Sequence, residues 1–200
     1  MDAFEQVIAS ILQRQGYWTL INVKVPITKG EKRQIGRHSS PRWELDVVAF
    51  RASTNELLIV ECKSYLDSHG VDCAAFDATK SDTPSRYKLF CEPKLFKVVA
   101  KRLVESFMKQ GFLASEPKVR LCLAAGKIRG ETSVLEERFA KSGWKLFSPE
   151  WIQANLKQLA GDGYENSVAA VVAKILTREK KSRRRRTVAD ASKITAADPK

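Results

Sequence analysis

Trp43-Glu-Leu-Asp46-Val-Val-Ala-Phe50, a short polar connection, and then Leu57-Leu-Ile-Val-Glu61-Cys-Lys63 form the stretch on which the reading of this chain turns. Both segments are rich in β-branched and aromatic side chains, and the connection Arg51-Ala-Ser-Thr-Asn-Glu56 is polar. The pattern predicts two strands joined as an antiparallel hairpin. Side chains two apart on a strand share a face. Glu61 and Lys63 therefore project with Leu57 and Ile59, while Leu58, Val60 and Cys62 fill the opposite face. A strand apolar on both faces is a central one, covered on both sides. A carboxylate and an ammonium at its end are costly unless they are paired or bind something. By the same alternation Asp46 shares a face with Glu44, Val48 and Phe50, and hairpin pairing brings it beside Glu61.

Outward from the hairpin, Phe4, Val7, Ile8, Ile11 and Leu12 recur at helical spacing and predict a first helix ending near Gly16. Residues 17–25 read as a strand closed by Pro26, and residues 28–41 as an exposed polar loop. Residues 64–92 carry no clear period. Residues 94–110 predict a helix, started after Pro93 and stopped at Gly111. A strand over 118–125, a helix over 131–142, a strand over 144–147 and a helix from Pro149 to residue 160 follow. Helices and strands in turn make an α/β pattern. The expected organisation is a body over residues 1–160, a C-terminal helix over 161–181 and a basic, disordered tail over 182–200.

Of the 200 residues, 44% are hydrophobic and 29% charged, the balance of a globular domain. No run of about 18 apolar residues is present, so no membrane-spanning helix is expected. The opening Met1-Asp2-Ala3-Phe4-Glu5 is acidic and does not read as a signal peptide. Cys62, Cys73, Cys91 and Cys122 form no Cys-x-x-Cys pair, and His38 and His69 stand far apart, so zinc-site spacing is absent. Reduced thiols in a cytoplasmic compartment are expected.

Net charge is +12, and seven positive residues against one negative fall within residues 178–186. A basic body with a basic tail points to a polyanionic partner, most simply nucleic acid, and to a nucleoid-associated protein. Candidate contacts are Arg37 and Arg42 in the loop, with Arg33 and His38 beside them. Lys97 and Lys101 follow on the helix from Lys94, with Arg102 and Lys109, and Arg183, Arg184, Arg185 and Arg186 in the tail.

Two carboxylates a few ångströms apart repel, and a divalent cation removes the repulsion. Mg²⁺ suits Asp46 and Glu61, because it takes hard oxygen ligands, keeps several waters and favours sites shared with phosphates. Mn²⁺ is expected to substitute. The Cys62 carbonyl offers a third protein oxygen. Lys63 would stand beside the metal-bound water and the attacked phosphate, to orient that water, favour its deprotonation or offset charge. Glu44 is the alternative to Asp46 as the second acid.

An Asp followed, after a short connection, by Glu-x-Lys at the end of a buried strand resembles the signature of the PD-(D/E)XK nuclease superfamily. In layout the chain is similar to archaeal Holliday-junction resolvases and Mrr-type catalytic domains. The resemblance implies a restriction-endonuclease-like, three-layer α/β core with a central mixed β-sheet flanked by helices. It implies a Mg²⁺-dependent (endo)deoxyribonuclease acting in DNA repair, recombination or restriction, as a homodimer or within a larger complex. It also gives Glu5, on the first helix, a supporting role at the metal site. Leu45 stands where the family has Pro, and residues 64–92 are longer than the family's connection. The alternative is a nuclease-fold subunit that binds DNA without cutting. A scaffold whose tail binds acidic proteins is a third reading, and it leaves the buried Glu-x-Lys without a reason.

Overall fold

The computed structural model describes residues 2–39, 42–76, 86–161, 163 and 167–177. In chain order the elements are α1 (Ala3–Arg14), β1 (Trp18–Pro26), α2 (Lys29–Gln34), β2 (Arg42–Arg51), β3 (Glu56–Lys63), β4 (Val71–Asp72) and α3 (Lys88–Cys91). Then come α4 (Pro93–Lys109), β5 (Lys118–Ala125), β6 (Ile128–Arg129), α5 (Thr132–Lys141), β7 (Lys145–Phe147), α6 (Pro149–Gly161) and α7 (Val168–Thr177).

Five strands make one sheet in the order β1-β2-β3-β5-β7. β1–β2 and β2–β3 are antiparallel, while β3–β5 and β5–β7 are parallel. β3 is central, as its two apolar faces require: Leu57, Leu58 and Ile59 are completely buried. Leu57 and Ile59 pack with α4, through Leu95, Val99, Leu103 and Phe107. Leu58 and Val60 pack with α1, through Ile8, Ile11 and Leu12, and with Ile152 of α6. The architecture is a three-layer α/β core, a mixed sheet between two layers of helices. Each fully buried aliphatic side chain is worth about 1.5–3 kcal/mol, so both layers are firmly held. α7 packs outside α6, its Ala169 and Ala170 against Leu159. No described helix is long and apolar enough to cross a membrane.

Two expectations need correction. Residues 28–41 are not all loop. Thr28 caps α2 and accepts the Glu31 N–H at 3.3 Å, while Glu31 Oε2 accepts the Thr28 N–H at 2.8 Å. This reciprocal capping box fixes a short helix that is polar on every side.

The second correction concerns side-chain direction in β2. Val48 faces the α4 layer and Val47 and Ala49 the α1 layer, as alternation demands, yet Leu45 and Trp43 also join the α4 layer. β1 behaves alike: Leu20 faces α4, Ile21 faces α1, and Val23 and Val25 face α4 again. In both strands the pleat slips by one residue. The slip lies between Ile21 and Val23 and, opposite, between Val47 and Leu45, two pairs that bracket Asn22 and Asp46. Asn22 has φ +56°, the left-handed conformation that Asn tolerates better than other residues with a Cβ. Glu44 and Val48 therefore do not share a face, and Asp46 occupies the slip itself.

Candidate active site

β2 and β3 are bonded from Arg51–Glu56 as far as Val47–Val60, and there the ladder stops. The next residues in the same register are Asp46 and Glu61, so the two acids meet just past the last bonded pair. β3 continues along β5 to the pair Lys63–Ala125, so the gap opens on the β2 side alone. Asp46, turned by the slip, puts its carboxylate into that gap. Its Oδ2 accepts the Cys62 N–H at 2.7 Å. On the other edge of β3 the Lys63 carbonyl accepts the Gly126 N–H at 2.9 Å. Successive carbonyls of a strand point to opposite edges, which directs the Cys62 carbonyl to the Asp46 side.

Lys63 Nζ lies 3.4 Å from Glu61 Oε2 and 3.9 Å from Asp46 Oδ2. One ammonium thus bridges both carboxylates. Glu5 approaches from α1, 9% exposed, and its Oε2 is buried with no hydrogen-bond partner among the described residues. Burial, then repulsion from Asp46, holds the Glu5 carboxyl above its ordinary range. Burial also raises Glu61, with Lys63 opposing the rise and Asp46 adding to it. Burial works to lower Lys63, but Glu61 and Asp46 outweigh it, so the ammonium is charged at neutral pH. Burial, with Asp46 and Glu5 nearby, drives the Cys62 thiol far upward, which excludes a thiolate nucleophile at this position.

Glu56, at the opposite end of β3, shows what a structural acid looks like in this fold. It accepts the Tyr17 hydroxyl at 2.6 Å and pairs with Arg51 at 3.4 Å and Arg120 at 3.5 Å. Burial raises its carboxyl, yet these partners bring it below the ordinary range. Glu5 and Glu61 lack such a set. Perturbed acids gathered at one place mark a functional-site candidate.

The remaining predicted residues are placed apart from this cluster. Arg37 pairs with Glu92 at 2.5 Å and lies over the Trp43 ring, 5.4 Å from its centroid, which makes it a brace between α2 and α4. Arg42 and Glu44 are exposed and pair with each other at 3.0 Å. Arg33, His38, Lys94, Lys97 and Lys109 are exposed, as is Lys101, 3.8 Å from Glu105. Arg102 is held by Glu105 at 3.3 Å and Glu31 at 3.6 Å. Arg183, Arg184, Arg185, Arg186 and the whole tail lie outside the described residues.

The structure adds two residues that the sequence reading did not single out. A cavity of about 220 Å³ opens in front of the acids, lined by Trp43, Glu44, Asp46, Glu61, Arg86 and Lys88. Arg86 and Lys88 come from the stretch without a period, so no sequence pattern marked them.

Among the described residues no group of three His, Cys, Asp or Glu side chains is placed to hold a metal ion. The oxygens gathered at the end of the ladder are the Asp46 and Glu61 carboxylates and the Cys62 carbonyl. Mg²⁺ is commonly held by one or two carboxylates, with waters and substrate phosphate completing its shell, so this donor set fits it. The repulsion felt by Glu61, and the Glu5 oxygen without a hydrogen-bond partner among the described residues, are what a cation there would relieve.

No family model matches the chain, and no curated protein matches it. Among solved structures it is similar to AF1548, a protein of unknown function, at 16% sequence identity and a TM-score of 0.42. That match covers 77% of this chain, and the chain spans 64% of AF1548.

The raised carboxyls give a signed pH dependence. In the folded chain Glu61 holds its proton to higher pH than in the unfolded chain. Its contribution to stability is therefore complete below the unfolded pKa and is lost as pH rises through the folded value. Glu61→Gln, which cannot ionise, should melt near the wild type at about pH 4 and above it at about pH 7, both without metal. Added Mg²⁺ should stabilise the wild type alone and shrink the gap. Equal melting temperatures at both pH values would show that ionised Glu61 costs the fold nothing.

Proposed function

We propose that this chain hydrolyses phosphodiester bonds of DNA at a Mg²⁺-dependent centre built from Asp46, Glu61 and Lys63, with Glu5 behind it. The observation that carries the reading is the end of the β2–β3 ladder. There Asp46 is fixed by the Cys62 N–H at 2.7 Å, and one lysine lies within 3.4 and 3.9 Å of the two acids. This is the constellation for which the chain resembles the PD-(D/E)XK nucleases, on a three-layer α/β core. The chemistry that a bound Mg²⁺ supplies is polarisation of a phosphoryl oxygen and a water of lowered pKa. Asp46 and Glu61 would hold the ion with the Cys62 carbonyl, and Mn²⁺ would replace it. Lys63, protonated at neutral pH, cannot take a proton from water. Its part is to set positive charge beside the phosphate as negative charge grows there. Glu5 keeps the field at Asp46 negative and so favours the cation. The partners this reading implies are DNA and a second copy or a larger DNA-processing complex, in a nucleoid-associated, cytoplasmic setting.

One observation favours a second reading, a DNA-binding subunit that does not cut: Lys63 already offsets part of the charge of the two acids without any metal. The two readings separate on a gel. Purified protein is incubated with supercoiled, linear and branched DNA in Mg²⁺, Mn²⁺, Ca²⁺ or EDTA. Cleavage is expected with Mg²⁺ and Mn²⁺, binding with little cleavage in Ca²⁺, and no cleavage in EDTA. Retarded but intact DNA in every metal would favour the non-cutting subunit, and full cleavage in EDTA would rule out the metal-dependent site.

A further inference from the structure

Most cations around the acids are already taken. Arg37 pairs with Glu92, Arg42 with Glu44, and Lys63 with Glu61 and Asp46. Arg86 and Lys88 differ. Both line the cavity in front of Asp46 and Glu61, and neither makes an ion pair or a side-chain hydrogen bond with a described residue. Lys88 is half-buried and Arg86 exposed, so one sits in the wall and the other at the rim. At about 220 Å³ the cavity is below the roughly 300–1,000 Å³ that encloses a small organic ligand, but it has room for a single phosphate group. Its lining combines acids with two cations that have no ion-pair partner among the described residues. That polarity suits a group which is negative itself and also shares a cation with carboxylates.

We infer that Arg86 and Lys88 bind the non-bridging oxygens of the phosphodiester presented to Asp46 and Glu61, and so decide which phosphate of the strand enters the cavity. Arg86 can grip two oxygens with its planar fork, whereas Lys88 acts as a point charge. The inference rests on the reading of this site as a phosphodiester-hydrolysing centre. It differs from a general basic surface, because it names two residues that touch the reacting group and leaves the exposed lysines of α4 aside.

The test uses the full chain, with Arg86→Gln and Lys88→Gln. Binding of a short fluorescein-labelled duplex is measured by anisotropy in Ca²⁺ over a range of NaCl, and cleavage of the same duplex in Mg²⁺. Each substitution should make the slope of log K against log salt shallower by about 0.9, the value for one lost phosphate contact. Each should raise KM more than it lowers kcat. The melting shift produced by Mn²⁺ should be no smaller than in the wild type, which reports an intact fold and intact acids. Slopes and KM values equal to wild type in both variants would overturn the inference and leave the nuclease reading standing if the wild type cuts. Shallower slopes in a protein that cuts with no metal would uphold phosphate binding by these residues and overturn the metal-dependent reading of the acids. A wild type that neither binds nor cuts the duplex would overturn both.

Discussion

Lys63→Met should lower the rate of Mg²⁺-dependent cleavage by at least about 100-fold, the scale for removing one preorganised transition-state contact, while the protein still binds DNA. Methionine keeps most of the length of the side chain, one atom short, and removes its charge. Two outcomes have to be told apart, because Lys63 also touches Glu61 at 3.4 Å and Asp46 at 3.9 Å. If the three groups were only a buried structural network, losing the ammonium would cost about 3–5 kcal/mol. Here Glu61 is already held above its ordinary range and can take up a proton instead of remaining a buried charge. Stability should therefore fall by well under that figure. Asp46→Asn is the companion variant. Its amide oxygen can still accept the Cys62 N–H, so the fold should persist while metal binding and cleavage are lost. Asp46→Ala, which on the sequence alone would only relieve repulsion, also leaves the Cys62 N–H without its acceptor and should cost about 1–3 kcal/mol. The measurements are chemical denaturation without metal and a cleavage time course with it. Near-normal cutting by Lys63→Met, or its collapse to an unfolded chain, would sink the assignment.

Gly126→Ala should damage both the fold and the site, although Gly126 is not one of the site residues. A Cβ at Gly126 would collide with the carbonyl oxygen of Ser64, a backbone atom that cannot swing aside. The Gly126 N–H also holds the Lys63 carbonyl at 2.9 Å. Forcing a methyl into this contact should cost about 1–3 kcal/mol by overpacking. Part of the strain would appear as displacement of the end of β3, which carries Glu61, Cys62 and Lys63. A displacement of about 1 Å at a catalytic group can lower the rate on the order of 100-fold. Gly30→Ala makes the comparison, since a Cβ there meets nothing within 4 Å. It sits in α2 and should be neutral or slightly stabilising. A Gly126→Ala protein as stable and as active as Gly30→Ala would show that the close approach of β3 and β5 carries no weight.

The parts of this fold that were legible are those with a strong period. β3 reads as central because its apolar residues run without a break, and the hairpin with β2 follows from the polar connection. α4 follows from its apolar stripe between Pro93 and Gly111. The α1 reading placed Glu5 on a first-turn position, which is where it stands. α2 was missed because a short helix without buried residues has no apolar stripe, although Thr28 and Glu31 carried the capping signature. β4 and β6 are two residues each, too short to show alternation. The direction of Asp46 was hidden for a different reason. Alternation assumes an unbroken pleat, and both strands slip between the pairs Ile21–Val47 and Val23–Leu45, where Asn22 has a positive φ. Proximity of Asp46 to Glu61 depends on register and was legible, whereas its bond to the Cys62 N–H depends on the slip and was not.

The slip at Asn22 has a consequence away from chemistry. β1 is an edge of the five-stranded sheet, nine residues long, and one side of its backbone has no neighbouring strand in that sheet. A long, regular edge invites a strand from another molecule and is a route to aggregation. At Asn22 the regular row of donors and acceptors is broken near the middle of the strand, as a bulge would break it. β2 keeps one register with β1 across Asn22 because it slips there too, and a foreign strand with an unbroken pleat lacks that matching slip. The slip that turns Asp46 into the gap also interrupts the edge on which chains could stack.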